Sequence, residues 1–522
     1  MLMAKLKPFR NEKPLDFSRP SNVKRQRAAI EEVQQQYGKK YPLIIGGKRI
    51  FKKEKIASRN PSHTPEVVGF VSKAAQQDID RAMKIAWDAF ERWKRVPAEE
   101  RAGYLLKAAE ILRQRRLEIN AWMISEVGKN YAEADADTCE AIDFLEYYAR
   151  EAIKFAQDQP VTRIPTERNR YFYIPLGVGV IIPPWNFPMA ILTGMTSAAI
   201  AAGNTVLLKP ASDSPVMGYL LAEIMHEAGL PDGVLNFVPG SGAEIGDYLV
   251  QHPKTRFISF TGSKEVGLRI NKLAAQPQPG QIWIKRVIAE MGGKDAIIVD
   301  SEADLDAAVQ GVLISAYGFQ GQKCSACSRA IVDRKVYDEF LERLLAGVEK
   351  YYVDDARNNP PVGPVVSAAA EKKILKYIQI GKKEGTLIYG GKKLRIEGKE
   401  GYYIQPTIFK DVDPHARIAQ EEIFGPVLAV IKAKNYDDAL RIANDTEYGL
   451  TGSVYSTNQE KLDRAAIEFH VGNLYFNRKC TGALVGVHPF GGFNMSGTDS
   501  KAGGPDYLLL YLQGKAVSQK IK

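Results

Sequence analysis

The segment from Tyr171 to Leu208 constrains the fold more than any other, because it contains no charged residue. A helix that spans a membrane needs about 20 mainly apolar residues in one uninterrupted run. Pro183, Pro184 and Pro188 interrupt this segment, together with the polar residues Asn186 and Thr193, so we expect no membrane span. The pattern instead predicts, in order, a buried strand over 176–182, a proline-rich loop over 183–188, a helix over 189–202 and a second buried strand over 205–208.

The same alternation of short strands and helices continues along the chain. A helical pattern over 217–228 precedes a strand pattern over 234–238, and another strand is expected over 256–260. A second series begins near Val287 and continues beyond residue 450. Such alternation indicates parallel, doubly wound α/β sheets, and we expect two α/β domains. An apolar run over 507–513 in a polar tail predicts an edge strand.

Composition favours a globular protein in a reducing compartment. The 522 residues are 45% hydrophobic and 25% charged, which excludes a disordered or fibrous chain. Four cysteines are too few for the disulfide framework of a secreted protein. Cys324 and Cys327 form a C-x-x-C pair without a second pair or a nearby histidine, so we expect no metal site. The opening stretch MLMAKLKPFRNEK lacks the apolar core of a secretory signal, and we expect a cytoplasmic location.

The net charge of +10 is compatible with an anionic partner. Much of the basic excess lies around 24–27 and 48–55, without the interleaved aromatic residues on which nucleic-acid bases stack. We therefore interpret it as a solvated surface and expect no nucleic-acid partner. Tight, steeply salt-dependent binding to DNA would contradict this interpretation.

Two turns are candidates for phosphate binding. Gly240-x-Gly242-x-x-x-Gly246 follows an expected strand and opens a helix, where backbone N–H groups can receive a phosphate. Its spacing differs by one residue from G-x-G-x-x-G, so an ordinary loop is an equally good interpretation. In the turn after the strand over 256–260, Ser263 could cap the next helix and contact a phosphate oxygen.

Three residues have surroundings suited to catalysis. Cys324 lies in a small, polar stretch beside Lys323, and a nearby cation lowers the pKa of a thiol. Glu290 ends an expected strand, where α/β sheets bind their ligands. Asn186 lies in a loop bounded by prolines and could donate its amide N–H to an oxyanion. Each also has an ordinary interpretation: an inert cysteine, an exposed acid and a turn residue.

Seven short motifs occur in one order along the chain. They are Pro-Trp-Asn-Phe-Pro, Lys-Pro-Ala, Phe-Thr-Gly-Ser, Glu-x-Gly-Gly-Lys, Gly-Gln-x-Cys, Glu-Glu-Ile-Phe-Gly-Pro and Pro-Phe-Gly-Gly. This ordered set resembles the aldehyde dehydrogenase superfamily over roughly residues 40–515. The stretches 322–328 and 481–486, ahead of Pro-Phe-Gly-Gly at 489–492, resemble most the branch that oxidises glutamate semialdehyde.

The resemblance implies an α/β fold with a Rossmann-like cofactor domain, an α/β catalytic domain and a small β-flap for oligomerisation. The expected ranges are an N-terminal lead-in over 1–40, an NAD(P)-binding domain over 41–146 and 166–287, a catalytic thiol domain over 288–476, an oligomerisation flap over 147–165 and 500–522, and a substrate anchor loop over 477–499 that returns to the cofactor domain.

The resemblance also implies the catalytic roles. Cys324 would be the nucleophile that attacks an aldehyde to form a thiohemiacetal. Asn186 and the backbone N–H of Cys324 would hold the oxyanion. Loss of hydride leaves a thioester, which water activated by Glu290 would hydrolyse, so a base pKa near neutrality is expected.

For the cofactor, the resemblance implies contacts from several motifs. The expected residues are Ile182, Pro183, Trp185, Lys209, Ser212, Gly242, Gly246, Ser263, Gly292, Glu422 and Phe424. Ser212 departs from the family, since many NAD-restricted relatives have glutamate there, which repels a 2′-phosphate. We therefore expect NAD to be preferred and NADP to be tolerated.

For the substrate, the resemblance implies an anchor for the amino-acid end of glutamate 5-semialdehyde. Ser325 and the backbone N–H groups of Gly482 and Ala483 would bind it, because glycine permits close approach of a ligand. Phe187 and Phe490 would sandwich the aliphatic chain, although a ring such as Phe490 can also be ordinary core. Lys323 would add positive potential.

The function implied is NAD(P)-dependent oxidation of L-glutamate 5-semialdehyde to L-glutamate in proline degradation. Another semialdehyde, such as succinate semialdehyde, or an aliphatic aldehyde is the nearest alternative. A non-catalytic binding protein that kept the fold is an alternative of another class. The flap implies a homodimer or an assembly of dimers, and a proline dehydrogenase is a possible partner.

Overall fold

A computed structural model describes residues 6–521 of the chain. The first five residues of the expected lead-in and Lys522 of the expected flap lie outside the described residues. The helices are α1 (Pro20–Gln34), α2 (Gln76–Trp93), α3 (Ala98–Gln114), α4 (Arg116–Val127), α5 (Tyr131–Phe155), α6 (Ala190–Ala201), α7 (Pro215–Glu227), α8 (Asp247–Gln251), α9 (Lys264–Ala274), α10 (Leu305–Tyr317), α11 (Tyr337–Val348), α12 (Ala368–Glu384), α13 (Arg417–Gln420), α14 (Tyr436–Asn444) and α15 (Gln459–Glu468).

The strands form two large sheets and three small ones. They are β1 (Lys39–Tyr41), β2 (Leu43–Ile45), β3 (Lys48–Ile50), β4 (Lys55–Arg59), β5 (Val67–Ser72), β6 (Glu167–Pro175), β7 (Val178–Ile182), β8 (Thr205–Leu208), β9 (Leu235–Phe237), β10 (Phe257–Thr261), β11 (Arg286–Glu290), β12 (Ala296–Val299), β13 (Arg329–Asp333), β14 (Thr386–Tyr389), β15 (Thr407–Lys410), β16 (Val427–Ala433), β17 (Tyr448–Gly449), β18 (Thr451–Tyr455), β19 (Asn473–Phe476), β20 (Phe493–Asn494) and β21 (Leu512–Lys520).

The first large sheet has the order β11-β10-β7-β8-β9-β2-β3, with β7 to β11 parallel. The uncharged segment folds as predicted into β7, α6 and β8, which form the centre of this sheet and its covering helix. The expected strand over 176–182 begins two residues late, at Val178. Leu176 and Gly177 lie outside the strand, and the Gly177 N–H donates to the Asn204 side chain at 2.9 Å.

The second large sheet has the order β14-β15-β16-β13-β12-β18-β19 and is parallel apart from β14. Strands up to Glu290 belong to the first sheet, and strands from Ala296 belong to the second. The two α/β sheets expected from the alternation are therefore confirmed, but both are mixed, since β2 and β3 in the first and β14 in the second pair antiparallel. The domain ranges given above stay a prediction.

A long two-stranded ribbon extends from these sheets. Strand β6 pairs antiparallel with β21, from Pro175 opposite Leu512 to Glu167 opposite Lys520. Most of β21 is exposed. Residues 147–155 of the expected flap are the last turns of helix α5 rather than part of the ribbon. They remain helical because Tyr148 is fully buried, stacked on Phe144.

Two other segments differ from the sequence expectations. The predicted edge strand over 507–513 is wrong in its first half: Tyr507–Tyr511 is a buried 3₁₀ turn, and the strand begins at Leu512. The turn is fixed because the hydroxyls of Tyr507 and Tyr511 hydrogen-bond at 3.0 Å and Tyr511 also bonds Ser259. The polar lead-in contains helix α1, which buries one apolar face.

Within residues 6–521, no helix combines the length and the apolar composition required to cross a bilayer.

Candidate active site

Two cavities meet at Cys324. The larger, of about 460 Å³, lies at the carboxyl ends of β7 and β10. The smaller, of about 100 Å³, lies on the other side of the thiol, between helices α5 and α6. Cys324 and Thr261 line both, so a ligand in either cavity reaches the same sulfur. Ligands of α/β sheets bind at this edge.

The turn before Cys324 is held in an unusual backbone conformation. Helix α10 ends at Tyr317, and Phe319 and Gln320 follow with φ of 48° and 58°. Such values are uncommon for residues other than glycine and persist only where the surroundings impose them. The Gln320 side chain donates to the carbonyls of Gly128 at 3.1 Å and Pro364 at 2.7 Å. The position of the thiol is therefore fixed by tertiary contacts.

The surroundings of the Cys324 thiol favour its protonated form. Burial raises its pKa well above the ordinary value, and the charges of Asp295, Glu422 and Glu290 raise it further. The sequence predicted the opposite direction from the neighbouring Lys323. The structure differs because the Lys323 ammonium is paired with Glu133 at 2.7 Å. A base is needed to generate the thiolate.

Glu290 ends strand β11 and faces the smaller cavity. One carboxylate oxygen accepts from the Ser500 hydroxyl, and the other accepts from the Gly492 N–H at 3.3 Å. Burial raises the pKa of Glu290 to about 7, although both hydrogen bonds oppose the rise. A carboxyl group with this pKa can exchange protons near neutral pH.

Asn186 is buried in the loop after β7 and lines the larger cavity. Its amide Nδ2 donates to the Gln322 carbonyl at 3.1 Å, which ties the loop to the chain two residues before the thiol. The Asn186 amide, which was expected to hold an oxyanion, thus lies beside Cys324, and one of its N–H groups is hydrogen-bonded to the Gln322 carbonyl.

Most of the residues expected to bind the cofactor line the larger cavity. They are Ile182, Pro183, Trp185, Ser263, Gly292, Glu422 and Phe424. Ser263 also caps helix α9, as its sequence position predicted, by accepting from the Val266 N–H at 3.4 Å.

Four expected cofactor residues do not line this cavity. Gly242 and Gly246 lie in a π-helical turn, and a Cβ added at either would meet nothing within 4 Å. Ser212 is exposed, while its neighbour Asp213, which sequence reasoning missed, lines the cavity. Lys209 is buried directly after β8.

Two features fit a dinucleotide: Lys209, outside the lining of the larger cavity, and Gly292, within it. The Lys209 ammonium has one weak contact, with the Pro210 carbonyl at 3.5 Å, and burial lowers its pKa to about 8. A buried ammonium so poorly paired suits a polar ligand. A Cβ added at Gly292 would lie 2.5 Å from Glu422 Oε2, so only glycine allows this carboxylate to lie there.

The smaller cavity contains the expected substrate residues Phe187, Ser325, Gly482, Ala483 and Phe490. Lys323 is the exception, because it lines a separate small cavity behind the thiol.

Sequence reasoning missed several residues of the smaller cavity. They are Glu140, Phe144, Ile191, Gly194, Met195, Thr261, Ala502 and Tyr507. Burial raises the pKa of Glu140 to about 8, and the charge of Asp137 adds to this rise. Glu140 and Phe144 are four residues apart on α5 and share a helix face. The sequence spacing of Glu140 and Phe144 shows that they share one face of α5, but it does not show that this face borders a cavity.

The other three cysteines are free and buried: Cys139, Cys327 and Cys480. Cys324 is partly exposed, so among the described cysteines it is the one a ligand or reagent reaches most directly.

Comparison with known proteins agrees with this arrangement. The model of the aldehyde dehydrogenase family matches residues 50–517. A 1-pyrroline-5-carboxylate dehydrogenase of Geobacillus thermodenitrificans is 58% identical, over 98% of this chain and 99% of the relative. The crystal structure of 1-pyrroline-5-carboxylate dehydrogenase from Thermus with bound NAD is 54% identical, with a TM-score of 0.97 over 99% of this chain and 100% of that chain. Proline utilization A from Bdellovibrio bacteriovorus is 46% identical, with a TM-score of 0.96 over 98% of this chain and 53% of that longer chain.

The chain therefore belongs to the aldehyde dehydrogenase family, and the family and fold expected from the seven motifs are confirmed. Among the relatives compared, those that match it over full length at 54% identity or more are 1-pyrroline-5-carboxylate dehydrogenases.

Proposed function

We propose that this protein oxidises L-glutamate 5-semialdehyde, the open form of 1-pyrroline-5-carboxylate, to L-glutamate with NAD, as a step of proline degradation. The observation that carries the proposal is one cavity lined by a thiol, a carboxyl group with a pKa of about 7 and a loop of backbone amides: Cys324, Glu290 and 482–483. The names of the full-length relatives support the same substrate.

In this proposal Cys324 is the nucleophile. Its proton must leave first, because the surroundings favour the neutral thiol. Glu290 is the base in the same cavity, and it takes this proton and releases it to solvent before the later hydrolysis step. The sulfur attacks the aldehyde carbon, and the carbonyl oxygen becomes an oxyanion. Asn186 Nδ2 and the Cys324 backbone N–H are the donors that stabilise it.

Glu290 acts again after the carbon is oxidised. Bound NAD supplies the hydride acceptor. The carbon then remains on Cys324 as a thioester, and Glu290 takes a proton from a water molecule that attacks it. Sulfur leaves with a proton, which restores the thiol. A pKa of about 7 lets one carboxyl group both accept and return protons at neutral pH.

NAD is held by the larger cavity in this proposal. Trp185 and Phe424 form an edge-to-face pair at 5.5 Å in its wall, and Glu422 receives the Gly293 N–H at 3.0 Å. NADP is tolerated because Ser212, where a repelling glutamate was looked for, is neutral and lies outside the lining of the cavity. NAD is preferred because the acidic residue Asp213 belongs to that lining.

The amino-acid end of the substrate is recognised by two kinds of group. The backbone N–H groups of Gly482 and Ala483, with the Ser325 hydroxyl, bind the α-carboxylate. Glu140 binds the α-ammonium, whose charge favours the ionised form of a carboxyl group with a pKa of about 8. Phe187 enters the same cavity as an apolar wall.

The domain roles follow from these sites. We propose that 41–146 with 166–287 bind the coenzyme, that 288–476 carry the thiol, and that 477–499 anchor the substrate. The ribbon of β6 and β21 supports assembly into a homodimer or a set of dimers, because Val517 is 41% exposed on an otherwise unpaired edge. We also propose a cytoplasmic location, supported by the four free cysteines.

A proline dehydrogenase is the proposed partner. The chain matches 53% of a proline utilization protein, so that longer chain carries a second part of comparable size. For the shorter chain of this protein, a separate proline dehydrogenase takes the place of that second part and supplies the substrate.

Steady-state kinetics test the proposed substrate. Purified protein with NAD should form NADH from 1-pyrroline-5-carboxylate with a kcat/KM about 100-fold above that for succinate semialdehyde, a difference of about 2.7 kcal/mol. Faster turnover of succinate semialdehyde or of an aliphatic aldehyde would move the assignment to those substrates. No NADH from any aldehyde would favour a non-catalytic binding protein.

A further inference from the structure

A buried ion pair lies behind both cavities. Lys129 follows helix α4, Asp137 lies on α5, and both side chains are 0% exposed. The Lys129 ammonium is 2.8 Å from Asp137 Oδ2. Neither residue lines either of these two cavities, and neither takes part in the proposed reaction. Removing two charges from water is costly, so such a pair needs another reason to be retained.

The ammonium contacts two aromatic rings that belong to different parts of the site. Its Nζ lies 4.2 Å from the centre of the Phe187 ring and 4.6 Å from that of Phe319. Both distances are well within the range of cation–π attraction, which strengthens when the cation is desolvated. Phe187 is a wall of the smaller cavity, and Phe319 begins the left-handed turn before Cys324.

The partner carboxylate holds a third part of the site. Asp137 Oδ1 accepts from the Ala190 N–H at 2.5 Å, at the first residue of α6. Ile191 and Met195 of that helix line the smaller cavity. One ion pair thus joins the substrate wall, the helix beside it and the turn that carries the nucleophile.

The turn needs several tertiary contacts to keep it in place, among them the bond from the Gln320 side chain to the Pro364 carbonyl at 2.7 Å. Three consecutive residues, Phe319, Gln320 and Gly321, have positive φ. The Gln320 side chain binds the carbonyl of Gly128, the residue before Lys129. Phe319 packs edge-on against Trp185 at 6.3 Å, in the wall of the larger cavity. The Gly128 carbonyl and the Lys129 ammonium therefore restrain two successive residues of a conformation that the backbone alone disfavours.

We propose that Lys129, with Asp137, is a positioning residue that holds Phe187 and the Phe319 turn together so that the Cys324 thiol faces the smaller cavity. The inference rests on the proposed function only in that Cys324 is the nucleophile.

A charge-neutral double variant tests it. Lys129→Met with Asp137→Asn removes both charges together, avoids an unpaired buried carboxylate and keeps an acceptor for the Ala190 N–H. We expect kcat to fall roughly 10- to 100-fold, because displacement of a reacting group by about 1 Å costs that much. We expect KM to change less, since the substrate anchor at 482–483 is untouched.

Alkylation by iodoacetamide gives a readout that needs neither substrate nor NAD. A relaxed turn admits water to Cys324 and lowers the pKa of its thiol, and a fall of one pKa unit increases the thiolate about tenfold. We expect Cys324 to be alkylated about tenfold faster, as located by peptide mass spectrometry, while buried Cys327 stays protected. This result would stand even if the substrate assignment failed.

Two further variants make the test specific. Phe319→Leu keeps the ion pair but removes one ring, and it should give the same two changes. Arg116→Met with Asp135→Asn removes another ion pair between α4 and α5, away from both cavities. The Arg116 guanidinium lies 2.6 Å from the Asp135 carboxylate, and the two side chains are 12% and 1% exposed. This variant should leave kcat and Cys324 alkylation unchanged. A wild-type kcat and a wild-type alkylation rate in both the Lys129 double variant and Phe319→Leu would overturn the proposal. An equal fall in kcat and an equal rise in alkylation rate in the Arg116 control would overturn it too.

Discussion

Replacing Ser500 with alanine should raise the pKa of the proposed base. The Ser500 hydroxyl donates to Glu290 and opposes the burial that raises the pKa of this carboxyl group to about 7. A hydrogen bond to a charged group contributes about 1.5–3 kcal/mol, and one pKa unit corresponds to about 1.4 kcal/mol. Partial replacement by water leaves a rise of about one unit, to a pKa of about 8.

The consequence is a pH-dependent loss of thioester hydrolysis. At pH 7 the ionised fraction of Glu290 would fall from about one half to about one tenth, so hydrolysis should slow about fivefold. At about pH 9 the variant should match the wild type, because Glu290 is ionised in both. Single-turnover measurement of acyl-enzyme decay across this range gives the two pKa values directly.

Thr498 provides the matched control. Its hydroxyl accepts from the Ala289 N–H at 3.0 Å, one residue from Glu290, but does not touch the carboxylate. Thr498→Val should leave the pH profile in place. An acid limb in Ser500→Ala that is unchanged, or moved to lower pH, would refute the assignment of the base and of its hydrogen bond.

Three other predictions concern the substrate, the coenzyme and the fold. Glu140→Gln should raise KM for glutamate 5-semialdehyde about tenfold and leave KM for succinate semialdehyde nearly unchanged. Equal changes in the two KM values would show that Glu140 does not recognise the ammonium group. The ratio of kcat/KM for NAD to that for NADP should lie between 1 and about 10⁴. A larger ratio, which means that the activation barriers differ by more than about 5 kcal/mol, would show that NADP is not tolerated. Gly179→Ala should lower the free energy of unfolding by about 1–3 kcal/mol, because the added Cβ would lie 2.0 Å from the buried Phe257 ring. Adding Phe257→Leu should recover part of that loss in chemical denaturation, and additive losses would contradict a local clash.

The centre of the fold could be predicted because its residues specify it locally. The uncharged segment alternates apolar strand formers, prolines and small helix residues, and β7, α6 and β8 follow that pattern closely. The 3₁₀ turn at Tyr507–Tyr511 could not be predicted, because hydroxyl contacts with Ser259, more than 200 residues away, determine it.

The site could be predicted where motifs carry it and not where distant contacts set its properties. Cys324, Glu290 and Phe187 lie around one cavity, as their motifs implied. The expected effect of Lys323 on the thiol failed because Glu133, 190 residues away, pairs with that ammonium. Glu140 could not be predicted either, because it reaches the cavity only through the tertiary position of α5 beside it.

The most direct test of the central claim is the mass of Glu290→Gln after one turnover with 1-pyrroline-5-carboxylate and NAD. Quenching in acid keeps the α-ammonium protonated, so it does not attack the thioester. Without this base the thiol loses its proton only slowly, so NADH formation is followed until it stops. The account then predicts one equivalent of NADH and a protein heavier by glutamate less one water, with the added mass on the Cys324 peptide. Cys324→Ala should give neither. NADH without an adduct, or an adduct on another residue, would contradict the account.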